Sequence, residues 1–279
     1  MQNMSHLKCL PITGYLNNIS GRPGEKFEAK VSAQKKGEYT AEVVRIICAD
    51  PNPDGPGLRY ELQNFNLLKS YQGRSQKIDL GSYAEIPAHP CFASEQLLLR
   101  TLIQPGFLRK SFSIIASSRN ESDEGWVLEV NSNMIKFTYC SVDSCEEVCI
   151  SIQLNNSSWY HIWAGYDLKT SRLIIGCKDK SDSNKFFKEC SINQKKITTP
   201  SRLFLAAKKV DEISEQHFNG RLEGVSLYSN LPIANKTPCF PKEAKGGDLL
   251  AWWDFSIGIE TQSIVDRGPY GLGGRLVNI

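Results

Sequence analysis

Asp50, Asn52 and Asp54 place side-chain oxygens at every second position of the loop Asp50-Pro51-Asn52-Pro53-Asp54-Gly55-Pro56-Gly57. Hard cations such as calcium take oxygen ligands of this kind, and a proline-stiffened loop has little entropy left to lose on binding. The glutamate and glycine positions of an EF-hand loop are missing, and Asx residues are also ordinary turn formers. The loop reads either as a cation site or as a plain turn. A second polar loop, Arg119-Asn120-Glu121-Ser122-Asp123-Glu124-Gly125, runs straight into Trp126. An aromatic face next to hydrogen-bonding groups could line a sugar groove. Arg119, Asn120, Asp123 and Trp126 are therefore the candidate ligand-binding residues, with Trp126 expected to be the most exposed of the five tryptophans. The competing reading of Trp126, Trp159, Trp163, Trp252 and Trp253 is that all fill a core. Cys140, Cys145 and Cys149 form the tightest of the cysteine groups. Thiolates so placed could bind zinc, but the spacing is not C-x2-C and no second pair follows. Unpaired thiols acting as small hydrophobes are the expectation.

The four histidines are scattered, and none sits in a metal-spaced pair. His161, in Trp159-Tyr160-His161-Ile162-Trp163, shares a strand face with two tryptophans. That suits a satisfied core or interface histidine better than a base. There is no Gly-x-Ser-x-Gly elbow, P-loop or dinucleotide fingerprint. No catalytic residue can be named.

The elements that must carry these residues are strands. Phe27 to Ala33 and Tyr39 to Ile46 alternate apolar and polar side chains with period two. Further runs follow, from Gly81-Ser82-Tyr83-Ala84-Glu85-Ile86 to Gly220–Leu227, with turn signals about every ten residues. Asn131-Ser132-Asn133 reads as a hairpin turn. Helix should be scarce, with one turn expected near Lys209 to Gln216 or in Asn230 to Lys245. The polar, lysine-rich stretch from Asp179 to Thr199 should be an exposed hairpin or loop. The chain has 279 residues, 41% hydrophobic and 23% charged, with a net charge of +3. That excludes wholesale disorder and gives no concentrated basic surface for nucleic acid. No window approaches about 18 apolar residues, so no membrane span is expected. Met1 to Leu10 lacks a long apolar segment, which argues for the cytoplasm.

Three motifs in order carry a resemblance at the level of fold. They are Ser113-Ile114-Ile115-Ala116-Ser117 with Gly125 to Val130, then Trp159 to Asp167, then Phe218-Asn219-Gly220-Arg221-Leu222-Glu223-Gly224-Val225-Ser226-Leu227-Tyr228. Together they resemble a laminin-G/concanavalin-like jelly roll. The expected fold is therefore all-β: a short N-terminal β-segment, residues 10–75, packed on a jelly-roll sandwich, residues 76–279. A narrower match covers both ends. Gly14-Tyr15, Gly24-Glu25, the Asp50 to Gly57 loop, Trp253-Asp254-Phe255-Ser256 and Val265-Asp266 with Tyr270-Gly271 and Gly274-Arg275 resemble the start of the N,N-dimethylformamidase large subunit. Members of that family are iron-dependent amidohydrolases acting on N-substituted formamides. The resemblance implies that their iron ligands, two tyrosines and a glutamate, lie in a region beyond the lectin-like part. No ligand can be carried onto a position here, and no cofactor is expected in this chain. The resemblance implies a non-catalytic accessory role and a small companion subunit. Exposed edge strands would also allow a homo-oligomer. Fold analogy alone would instead suggest a stand-alone module binding a glycan.

Overall fold

A computed structural model describes residues 11–75, 81–179, 185–210, 213–231 and 248–278. The chain divides into two compact units, Met1–Ile78 and Asp79–Ile279. The first unit holds β1 (Ile12–Leu16), β2 (Ala29–Ala33), β3 (Gly37–Tyr39), β4 (Val43–Ala49), β5 (Leu58–Gln63) and β6 (Tyr71–Gly73). They form three separate antiparallel pairs, β1 with β2, β3 with β6, and β4 with β5. The Pro/Gly loop at 50–57 closes the third pair as a hairpin.

The second unit begins with β7 (Tyr83–Ile86) and a 3-10 turn, Pro90–Ala93. Next come β8 (Gln96–Pro105), β9 (Ser113–Arg119), β10 (Gly125–Val130), β11 (Met134–Cys140) and β12 (Cys145–Ser151). They are followed by β13 (Tyr160–Asp167), β14 (Arg172–Asp179), β15 (Lys185–Ser191), β16 (Leu203–Leu205), β17 (Lys208–Val210) and β18 (Ile213–Glu215). The series closes with β19 (Gly220–Tyr228), β20 (Leu249–Asp254), β21 (Ser263–Asp266) and β22 (Gly274–Val277). All pairings between these strands are antiparallel. One layer runs β12-β11-β10-β9-β16-β7-β22, the other β20-β19-β8-β13-β14-β15, and β21 bonds to both β20 and β22 at the corner. The all-β sandwich expected from the strand pattern is what forms.

The core lies between the layers. Alternate residues of β11 (Ile135, Phe137, Tyr139), β13 (Ile162, Ala164, Tyr166) and β14 (Leu173, Ile175, Cys177) are fully buried. The rings of Tyr139 and Tyr166 meet across the gap with centroids 4.5 Å apart. The other face of the β8-side layer carries a second cluster, Leu98, Trp163, Ile174 and Tyr228. Gly176 is needed there, because the Trp163 indole lies flat on it and any Cβ would clash. The run through Trp253 returns as β20 on β19.

Two expectations are corrected. The segment around Lys209 is no helical turn: β17 and β18 pair as a small hairpin, held by an ion pair from Lys208 to Glu215 at 3.0 Å. Its sequence has no apolar period to stabilise a helix against that pairing. Most of Asn230 to Lys245, the alternative place, lies outside the described residues. The only helical turn among the described residues is the short one at Pro90. Cys140 and Cys145 are not free thiols. They face each other in register across β11 and β12 and are joined in a disulfide, which leaves no zinc set with Cys149. Within Asp179 to Thr199, β15 pairs antiparallel with β14 as an exposed edge strand, in keeping with the exposed hairpin expected there, and 180–184 lie outside the described residues.

Candidate functional site

Two of the 50–57 loop's three candidate ligands bond within the loop. Asp50 Oδ1 accepts the Asn52 amide at 2.9 Å, and Asn52 Oδ1 accepts the Asp54 amide at 3.2 Å. The Asn52 carbonyl takes the Gly55 amide at 3.0 Å. These stacked Asx turns explain the residue types by turn chemistry alone.

The 119–126 segment behaves in the same way. Arg119 makes a two-pronged bond to both Asp123 oxygens at 2.8 and 2.9 Å. Asn120 Oδ1 accepts the amides of Ser122 and Glu124, and its Nδ2 donates to Glu124 Oε2. Asp123 sits at a φ of 60°, a conformation that Asx side chains tolerate. Arg119, Asn120 and Asp123 are thus brought together as a hairpin clamp. Trp126 is not with them. It is fully buried, its Nε1 donating to the Phe92 carbonyl at 3.1 Å and its ring 6.2 Å from Phe137. The expectation of an exposed Trp126 is overturned, since a ligand cannot reach it.

His161 is no base. Burial, then the charges of Arg100 and Lys178, push it down to about 3, and Arg100 Nη2 lies 3.2 Å from its Nε2. It stands as a neutral acceptor for a buried guanidinium.

A cavity of about 420 Å3 forms elsewhere, lined by His89, Cys91, Glu95, Lys169, Lys196 and Tyr270 among others. Its wall is built from the 3-10 turn. His89 caps that turn, with Nδ1 accepting the Cys91 amide at 3.3 Å, so the proton of the neutral ring sits on Nε2. Phe92 and Ala93 anchor the turn in the core. Tyr270 faces His89 with ring centroids 5.2 Å apart. The Tyr270 loop is fixed by Asp266, whose carboxylate accepts the amides of Trp252, Gly268 and Leu272, each at 2.7 Å. Trp253 Nε1 adds a bond to the Leu272 carbonyl at 2.7 Å. The terminal run quoted in the resemblance is therefore the scaffold of the cavity rim. Lys169 and Glu95 pair at 3.4 Å on the rim.

The cavity offers an aromatic pair, amines and a carboxylate, which suits binding through stacking and hydrogen bonds. It does not offer an activated nucleophile. Burial, then the charge of Asp266, raises the Cys91 thiol to about 12. Its lining comes from distant segments, so sequence reasoning missed it. The local signal was His89-Pro90, a cap followed by a helix-starting proline.

No family model matches the chain. Against curated proteins it is 27% identical over 98% of its length to the N,N-dimethylformamidase beta subunit of Paracoccus aminophilus, and equally so to that of an Alcaligenes species. The chain resembles these subunits from end to end. It spans about 40% of the length of those relatives. Among solved structures, a candidate carbohydrate binding protein from Bacteroides ovatus superposes with a TM-score of 0.52 at 12% identity, covering 78% of this chain and 65% of that one. Mouse laminin alpha1 domains LG4-5 align with a TM-score of 0.43 at 11% identity, over 54% of this chain and 40% of that one. At 12% identity the Bacteroides ovatus structure speaks to fold alone.

The iron that the resemblance implies can be tested against the residues present. Of the two tyrosine pairs in ring contact among the described residues, Tyr39–Tyr71 and Tyr139–Tyr166, the buried one, Tyr139 and Tyr166, donates its hydroxyls to the Lys195 and Ser94 carbonyls at 3.0 Å each. Burial raises Tyr139 to about 12 and Tyr166 well above its ordinary value. Neither is poised to give a phenolate, so this pair does not fit a two-tyrosine iron site. Among the described residues no three of His, Cys, Asp and Glu gather as metal ligands. Among them, too, no helix is long and apolar enough to cross a membrane.

Proposed function

We propose that this chain is a non-catalytic accessory part of an N,N-dimethylformamidase-like amidohydrolase, contributing subunit contacts or shaping access to a catalytic region outside it. The observation that carries this reading is the match along 98% of the chain to proteins of which it spans 40%. The purified chain, incubated with ferrous iron and dimethylformamide, should show no turnover above blank and no stoichiometric iron. Turnover by the pure chain would sink the reading. An immunoblot of source cells gives an independent check, since a catalytic parent chain would run far above 31.3 kDa. On compartment, the Cys140–Cys145 bond favours an oxidising one, where disulfides mainly persist.

A second reading, a ligand-binding module for a glycan or similar polar ring, rests on the His89–Tyr270 cavity. Its test is at Tyr270. Tyr270 is 55% exposed, so Tyr270→Ala should leave the fold intact. It should weaken any glycan found on a broad panel by about tenfold, the value of one aromatic contact. A panel with no binder ends this reading.

A further inference from the structure

The disulfide that joins β11 to β12 has two unlike sulfurs. Cys140 ends β11, Cys145 opens β12, and the two stand opposite each other in register. Ser141 to Ser144 form the hairpin tip between them, closed by the Ser141 amide on the Ser144 carbonyl at 3.0 Å. Cys145 is exposed. Cys140 is 1% exposed, and Arg119 Nη2 donates to its Sγ at 3.1 Å. Asp123 holds the same guanidinium through Nη1. An incoming thiolate can therefore reach Cys145, and the electron pair it displaces lands on Cys140 beside a fixed positive charge. Access and a stabilised leaving thiolate both speed thiol–disulfide exchange.

The tip also carries a second segment. Glu146 accepts the Asn193 amide at 3.2 Å, Ser144 Oγ accepts from Gln194 Nε2 at 2.8 Å, and Asp143 pairs with Lys195 at 2.8 Å. Ser141 Oγ donates to Gln194 Oε1. Residues 193–195 are thus strapped onto the tip, between the buried Ile192 and Ile197. Lys196, the next residue, lines the His89–Tyr270 cavity. β12 is the outermost strand of its layer among the described residues, so the crosslink secures an end that has no strand beyond it.

We infer that Cys140–Cys145 is a thiol-exchange site, opened through Cys145 by an external dithiol, and that its opening loosens the strap at the cavity rim. One thiolate of the dithiol attacks Cys145 Sγ. The Cys140–Cys145 bond breaks, and Cys140 leaves as a thiolate against Arg119. The second thiol of the dithiol, deprotonated to water, attacks the mixed disulfide and releases Cys145 as a thiolate. The dithiol is oxidised to its own disulfide, the protein gains two electrons, and the protons given up return from water to the two cysteines. Neighbouring thiols are poorly placed to replace the dithiol. Cys149 follows Cys145 by four residues along β12, about 13 Å at the rise of a strand. Cys190 donates its proton to the Glu147 carbonyl at 3.7 Å, and burial, then the charge of Glu146, raises it above its ordinary value. Neither the hydrolase reading nor the identity of a cavity ligand enters this chemistry.

The test uses the full chain in its native state. Exposure to glutathione, quenched with N-ethylmaleimide, should leave glutathione on Cys145 and maleimide on Cys140, read by peptide mass mapping. Dithiothreitol should open the bond without denaturant. Arg119→Gln should slow that step by about tenfold, and Arg119→Lys should keep most of the rate. Hydrogen exchange reads the strap: reduction should speed the amides of 192–197 by about tenfold while those of β13 stay as they were. Because Arg119→Gln could disturb the 119–123 turn, the glutathione map and the exchange pattern, both taken on the unaltered chain, decide independently of it. Glutathione found on Cys140, a bond that opens only in denaturant, an unchanged rate in Arg119→Gln, or strap amides indifferent to reduction overturns the inference. So does a chain whose Cys140 and Cys145 stay free thiols in oxidised glutathione.

Discussion

Trp253→Ala should lower the unfolding free energy of the sandwich by about 3–5 kcal/mol, the usual cost of emptying a buried large aromatic site. Trp253 is fully buried in β20, between Val225 on one side and Asp266 on the other. Its neighbour Trp252 points the other way, half-buried under Arg267 at 5.3 Å. Trp252→Ala should therefore cost far less, about 1 kcal/mol. The contrast between adjacent tryptophans is the sharp part of the prediction. Urea unfolding followed by fluorescence measures it directly, because all five tryptophans lie in the second unit. A loss below about 1 kcal/mol for Trp253→Ala would show that this end of the sandwich collapses onto the vacancy. Trp253→Phe separates packing from hydrogen bonding. It keeps most of the volume but strands the Leu272 carbonyl, at about 1–2 kcal/mol. That carbonyl helps hold the Tyr270 loop, so this variant should also weaken any ligand of the His89–Tyr270 cavity.

The strands were legible wherever a turn signal bounded an alternating run. Asn131-Ser132-Asn133 marked the β10–β11 turn, and there Asn131 Oδ1 accepts the Asn133 amide at 2.9 Å. Trp126 was misread because all six residues of β10 are buried. Once both faces of a strand are covered, alternation no longer marks which one faces inward. The Cys140–Cys145 bond had a signal that went unused. Two cysteines flanking a four-residue hairpin loop stand directly opposed once the hairpin closes. The cavity had no such signal, because its walls come from residues 89–96, 169, 196, 229, 250 and 270. Only the tertiary fold brings them together. The Asp50, Asn52 and Asp54 pattern was visible, but oxygens spaced for a cation are spaced equally well for consecutive Asx turns.

Glu85→Gln should cost the sandwich about 2 kcal/mol at neutral pH, and that cost should shrink on acidification. Glu85 is 7% exposed. Its carboxylate accepts from Arg202 Nη1 at 2.7 Å and from Arg275 Nη2 and Nε at 2.7 and 3.1 Å. These contacts tie β7 to the start of β16 and to β22. Removing one member of a buried pair typically costs about 3–5 kcal/mol, because the partner charge is left uncompensated. Here both arginines are half-exposed or more and can turn to water, which brings the expectation down. Burial alone would raise the carboxyl of Glu85. The hydrogen bond from Arg275, with the charges of Arg275, Arg202 and Lys209, outweighs burial and holds it below its ordinary value. A carboxyl depressed in the folded state contributes stability that is fully present above the unfolded value of about 4.3. That stability is lost as pH falls through the lower folded value. Asp167 and Asp254 are depressed as well, so the unaltered protein will lose stability in acid for several reasons. The difference between it and Glu85→Gln isolates Glu85. Measured by urea unfolding from pH ~7 to ~3, that difference should narrow steadily below about pH 4.3. A difference that stays constant across this range would mean that the arginines hold Glu85 by shape and hydrogen bonding alone, with no charge contribution to the link between β7 and β22.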